Sequence, residues 1–288
     1  MENEDAICAI ITSLFRRSTF AREIFGLDVP AYTKAVDQLY NDRCEEKNIE
    51  VIKRAYQFLS RSYRNEYFYK NTLFNKLVLG VHSLKTTTAL TELPIMSSRA
   101  DFIMINGKAT VFEIKTELDN LERLDKQVRS YYQAFDHVAI VTDISNLNKI
   151  IHCPSLPQST GIYLLQKNSR LKIIRKPLRY QKDLNKKAMF RILRKSEYEN
   201  ILLSVYHELP QVTPVNYYRE CCKWFEDISM DSIYPMFLHA LKNRSKVKNQ
   251  QLFTEIPYEI RSLIYFMNLR DNDYKKLIDF LYSPARRN

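Results

Sequence analysis

The chain has 288 residues, 45% of them hydrophobic, with four glycines, ten prolines and a formal charge of +11. That is enough apolar material for one large core, or a core with an appendage or two, but too few turn residues for an all-β sandwich, so helix should predominate. The positive surplus favours a polyanionic partner, nucleic acid first, and no apolar stretch approaches the roughly 18 residues that span a membrane.

Residues 1–62 read as a helical N-terminal region. Ala6, Ile7, Ile10, Ile11, Leu14 and Phe15 recur at helical spacing. A second helix is predicted from Tyr32 to about Lys47, with Tyr32, Val36, Leu39 and Tyr40 on one stripe, and a third over Ile49–Ser62. A fourth spans Asn65–Leu79 and stops near Gly80.

Residues 63–166 change character. Leu90–Met96 is a short strand, placed at a sheet edge by Pro94. Asp101–Ile105 and Ala109–Lys115 flank Asn106-Gly107, a hairpin signal. Leu121–Phe135 is amphipathic, with Leu121, Leu124, Val128, Tyr131 and Phe135 on one stripe. His137–Thr142 reads as a strand buried on both faces, and Gly161–Gln166 and Leu171–Ile174 as two more. Residues 167–288 form a basic, mainly helical C-terminal region, broken near Pro210, Pro214, Pro235 and Pro257. The fold class is therefore α/β, with helical extensions on both sides.

The hairpin carries the chemistry. Asp101 opens it, and Glu113 and Lys115 close it on one strand face. Two carboxylates and an ammonium so placed could surround one divalent metal ion. Register decides whether they meet. A two-residue turn at Asn106-Gly107 would pair Asp101 with Phe112 and point it away from Glu113. A three-residue loop over Asn106–Lys108 pairs Ile105 with Ala109 and sets Asp101 opposite Glu113, and this is the register predicted.

The segment from Arg99 to Lys115 resembles the catalytic hairpin of the PD-(D/E)XK nuclease superfamily. Gln127 and Tyr131, an i, i+4 pair on the following helix, resemble the Q-x-x-x-Y signature of its RecB-like branch. The R-N-E-Y segment at Arg64–Tyr67 and the R-A-D segment at Arg99–Asp101 are similar to those of an uncharacterised bacterial family of that fold. One departure is Ala100, where the superfamily has proline. The resemblance covers Tyr63–Thr142 and implies a restriction-endonuclease-like core of helix, three-stranded β-meander, helix and strand.

It also implies a site. Asp101 and Glu113 would ligate Mg2+ (or Mn2+), with the backbone carbonyl of Ile114 as a third ligand. Lys115 would orient the water or stabilise the transition state, Gln127 and Tyr131 would lie beside them, and Glu66 would be the first-helix glutamate. Glu92 competes for that last role, and Glu66 could instead pair with Lys70 at i, i+4. The function implied is a Mg2+-dependent deoxyribonuclease, with RNA as a second substrate class and a homodimer or protein partner for double-strand cutting.

Lys126, Arg129, Lys172, Arg175, Lys176, Arg179, Lys186 and Lys187 are the candidate phosphate contacts, with a solvated basic face as the plain alternative. Two other functions compete: a catalytically inactive nucleic-acid-binding regulator on the same fold, and a helical interaction scaffold. Cys8, Cys44, Cys153, Cys221 and Cys222 form no C-x-x-C pair and sit by no histidine cluster, which argues against structural zinc. An odd cysteine count and an acidic N-terminus predict a cytoplasmic protein. The five histidines are scattered, and none is assigned a catalytic role.

Overall fold

The apolar spacing near the N-terminus becomes helix. In a computed structural model that describes residues 2–27, 29–40, 46–244 and 253–285, with side chains from Ala6 onward, α1 runs over Glu2–Ser13 and α2 over Arg17–Ile24. Then come α3 (Pro30–Leu39), α4 (Asn48–Ser62) and α5 (Glu66–Leu73), which continues as a π-helical turn over Phe74–Leu79. The second helix thus ends well short of Lys47, because Tyr40 is already extended. Residues 41–45, including Cys44, lie outside the described residues.

The chain divides into two compact units. One comprises Met1–Leu84, Lys167–Arg170 and Lys246–Asn288, and the other Lys85–Gln166 and Leu171–Ser245. These units and the three consecutive blocks drawn from composition cut the chain at different places.

The first unit is helical and is closed by two late helices, Arg261–Met267 and Asp271–Tyr282. Buried amides tie them to the N-terminal helices. Asn71 is fully buried, and its amide donates to the Tyr56 hydroxyl (3.1 Å) and the Tyr258 carbonyl (2.9 Å) while Oδ1 accepts from the Ser262 N–H (3.0 Å). Asn48 donates to the Phe280 carbonyl at 2.8 Å. A buried amide is tolerated when its hydrogen bonds are made, and here they fix which helices meet.

The second unit is built on an open six-stranded sheet in the order β1-β2-β3-β4-β5-β6, which makes the protein mixed α/β. The strands are β1 (Thr88–Ile95), β2 (Ser98–Asn106), β3 (Lys108–Lys115), β4 (Val138–Thr142), β5 (Gly161–Leu165) and β6 (Leu171–Arg175). β1 to β3 form an antiparallel meander, β4 and β5 add in parallel, and β6 returns antiparallel. Pro94 sits on an outer strand, where a missing N–H costs no ladder bond. β4 is buried at all five positions, as its unbroken apolar run requires in the sheet interior.

Between strands lie α6 (Leu124–Tyr132), which packs on β2, β3 and β4, and α7 (Ile144–Ile151). Four helices follow: α8 (Lys186–Ile192), α9 (Lys195–Tyr206), α10 (Pro214–Asp227) and α11 (Met230–Lys242). Ile103, Ile105, Val111, Val138 and Ile140 of the sheet share one core with Val128 of α6, Phe190 of α8 and Phe237 of α11. Phe102, Phe112 and Tyr163 stack edge to face in a second aromatic row.

Candidate functional site: an acidic strand end

Alternation along β2 and β3 brings the acids together. Ile105 pairs with Ala109 and Phe102 with Phe112, with Gly107 (φ 68°) alone at the tip. That is the register in which Asp101 and Glu113 oppose one another. The backbone ladder stops at Phe102, and the Asp101 side chain takes over: its Oδ2 accepts the Ile114 N–H at 2.8 Å. The Asp101 carbonyl meanwhile accepts from Thr91 Oγ1 at 2.7 Å, so strands on both sides hold this residue.

Glu113 is 1% exposed. Its Oε1 lies 2.8 Å from Lys115 Nζ, and its Oε2 lies 2.5 Å from the Tyr131 hydroxyl. That hydroxyl is also 2.9 Å from the Arg99 carbonyl, so its one proton serves two acceptors. Burial raises the Tyr131 pKa, and the negative charge of Glu113 and Asp101 raises it further, which keeps the phenol neutral and a donor. Gln127 lies one turn earlier on α6, and its Oε1 is buried with no partner among the described residues. A buried ion pair such as Glu113–Lys115 is poor evidence of stability, since desolvation offsets its attraction.

Glu92 stands between the pairs Thr91–Phe102 and Leu93–Ala100, facing Asp101 across the β1–β2 ladder. Its φ of 55° is left-handed, a conformation that costs a non-glycine residue roughly 1–2 kcal/mol. The two carboxylates offer oxygens within 4.8 Å of one another. Glu92 thus lies on the strand next to Asp101. Glu66 opens α5 in the other unit, where Lys70 Nζ pairs with it.

Thr142 was not among the candidate residues. The β3–β4 register sets it beside Lys115, and its Oγ1 is fully buried with no partner among the described residues. The strand pattern alone holds no signal for it, because only the parallel register brings it level with Lys115.

The candidate phosphate contacts divide. Arg129 is held by Asp125 (2.7 Å) and the Ser155 carbonyl (3.0 Å), Arg175 by the Thr160 carbonyl (2.7 Å), Arg179 by Asp136 (3.2 Å) and Lys186 by the Glu226 carbonyl (2.6 Å). Lys126, Lys172, Lys176 and Lys187 are exposed.

The family model described as "Bacteriophage P4 protein cII" matches residues 59–266. That is more than half of the chain, which therefore belongs to this family. A curated relative, "Protein cII" of Enterobacteria phage P4, is 29% identical over 171 residues, covering 56% of this chain. The match spans 61% of that protein's length. No solved structure matches the chain.

This corrects the assignment to the PD-(D/E)XK superfamily and its RecB-like branch, and with it the similarity to an uncharacterised bacterial family of that fold. The Asp101, Glu113-x-Lys115 and Gln127-x-x-x-Tyr131 strings involve few residues, and a string that short can arise in an unrelated family. No helix among the described residues is long and apolar enough to cross a membrane.

Proposed function

We propose that this chain hydrolyses phosphodiester bonds, DNA first, with the help of a divalent metal ion at the acidic strand end. On its own family's frame it would reach a site of the kind that restriction-endonuclease-like cores carry. The observations behind this reading are that Asp101 stands opposite Glu113, which pairs with the buried Lys115, and that Asp101 and Glu92 offer carboxylate oxygens within 4.8 Å of one another. The candidate donors are all hard oxygens, the carboxylates of Asp101, Glu113 and Glu92. Such a set suits Mg2+ or Mn2+ rather than zinc.

Asp101 and Glu113 would hold the ion, with Glu92 and the Ile114 carbonyl as further donors. A bound divalent ion polarises a phosphate oxygen and lowers the pKa of a water. The protein's own groups do the positioning. Tyr131 fixes the Glu113 rotamer, and the Ile114 N–H fixes Asp101. Lys115 brings a positive charge to the place where a phosphorane-like transition state gathers negative charge. Lys126, Lys172, Lys176 and Lys187 would contact the backbone phosphates, and cutting both strands of a duplex would take a second copy or a protein partner.

A second reading is binding without cleavage. It is favoured by one observation: Lys115 and Tyr131 already engage both Glu113 oxygens. Cleavage of linear, circular and single-stranded DNA, and of RNA, in Mg2+, Mn2+ or EDTA separates the two. Metal-dependent cutting abolished by Asp101→Ala and Glu113→Ala is the expected result. A wild type that retains nucleic acid but never cuts it would establish the binding protein instead.

A further inference from the structure

At the other end of the same strands the charge reverses. The β2–β3 tip lies six residues from Asp101, about 20 Å along a strand. There the hairpin, the start of β4 and the last turns of α11 surround a cavity of about 480 Å³. Its apolar wall is Ile105, Tyr234, Pro235 and Leu238. Its polar groups are Lys108 from the tip, Arg179 from the segment after β6, and His239 and Lys242 from α11. Tyr234, Leu238, His239 and Lys242 share a helix face at i, i+4, i+5 and i+8. The end of α11 is pinned to β1, since Thr88 Oγ1 donates to the Lys242 carbonyl at 2.7 Å.

The cavity holds one acid, and that acid is already spent. Asp136 is 4% exposed, and its Oδ1 accepts from His137 Nδ1 and from the Tyr234 hydroxyl, each at 2.7 Å. Its Oδ2 accepts from Arg179 Nε at 3.2 Å. Burial pushes its carboxyl up, but the hydrogen bonds from His137 and Tyr234 outweigh this and hold its pKa below the ordinary value. Asp136 is thus an internal anchor that orients Arg179 and the wall residue Tyr234.

Lys108 and Lys242 make no ion pair among the described residues, and Arg179 gives Asp136 only its Nε, with a side chain that is 64% exposed. Lys108, Lys242 and Arg179 therefore line one cavity with no carboxylate left to balance them. An anion relieves that repulsion. The volume is far more than an inorganic phosphate fills and lies within the usual range for small-molecule sites.

We propose that this cavity binds a nucleotide, with the phosphate on Lys108, Lys242 and Arg179 and the base or sugar against Tyr234 and Leu238. The same chemistry is offered by a free mononucleotide and by the phosphorylated end of a nucleic-acid strand. The inference does not depend on cleavage at the acidic end.

The test is calorimetric titration of the full chain, at fixed salt, with inorganic phosphate, AMP, and a short oligonucleotide with and without a 5′-phosphate. AMP is expected to saturate and to bind more tightly than phosphate. Lys108→Ala and Lys242→Ala should each weaken it about tenfold, the scale of one charge-assisted hydrogen bond. The exposed Lys275→Ala should leave it unchanged, and thermal melts should confirm that all three variants fold. Binding of AMP and the 5′-phosphorylated strand alike supports a free-nucleotide source, and binding of the phosphorylated strand alone supports a strand end. No saturable binding by any probe at millimolar concentration, or affinities that Lys108→Ala and Lys242→Ala do not move, would overturn the proposal.

Discussion

The two ends of the central strands treat charge in opposite ways. At one end Asp101 faces Glu92 on one neighbouring strand and Glu113 on the other, and the buried pair Glu113–Lys115 is held by Tyr131. At the other end Lys108, Arg179 and Lys242 gather around a single carboxylate, Asp136, whose charge His137 and Tyr234 absorb. Each end carries the excess that a ligand of the other sign would balance. The apolar middle of the sheet, Val111 and Ile140 among it, separates them. An open sheet can therefore carry two polar ends of opposite sign, because its core needs only the strand centres.

The sharpest way to break this comparison is to strand a charge. Lys115→Ala removes the ammonium that pairs with the buried Glu113, and it should destabilise the protein by about 3–5 kcal/mol in urea titrations. Millimolar Mg2+ should restore part of that loss, and a loss below about 1 kcal/mol would show that Glu113 never depended on the lysine. Ile140→Ala, in the fully buried strand centre, should cost about 2–5 kcal/mol. It should weaken both ends equally, so a loss confined to one end would mean that the ends do not share a core.

Asp136→Asn keeps the shape and removes the charge, with an expected cost of about 2 kcal/mol near neutral pH. Because the folded pKa of Asp136 is lowered, its contribution is present above the ordinary carboxylate pKa of about 3.9 and is lost as pH falls through the folded value. Wild type and variant should therefore differ by a constant amount from mildly acidic to neutral pH and converge in acid. Urea midpoints that stay parallel down to the lowest pH would contradict this. Tyr131→Phe should have the smallest effect, about 1 kcal/mol from the lost hydroxyl. If Tyr131 positions Glu113, that variant lowers the rate of any cleavage more than it lowers substrate affinity.

How legible these ends were in the sequence follows from how each is assembled. The acidic end comes largely from one hairpin, where alternation sets Asp101 opposite Glu113 once Ile105 pairs with Ala109, a register that a two-residue turn at Asn106-Gly107 would not give. The basic end draws on residues 105–108, 136–137, 179 and 234–242, and nothing local links Lys108 to Lys242. Arg179 was singled out as a phosphate contact, but its tie to Asp136 depends on tertiary packing.

Helix α7 escaped notice because it is short. Its start is set by the Asp143 side chain, which accepts from the Asn146 N–H at 3.2 Å. The strands and most of the helices were legible from periodicity and buried runs. The family was not, since short acid and lysine strings say little about descent, whereas the cII family match extends over 59–266 and takes in most of the C-terminal helices.

The acidic end is proposed to hold a divalent cation. Titrating Mn2+ into the full chain, followed by water-proton relaxation and competed with Mg2+, tests it directly. The expected result is a saturable site that Asp101→Asn abolishes and Lys242→Ala leaves intact. A wild type that binds no Mn2+ at millimolar concentration, or a site that survives Asp101→Asn, would contradict it.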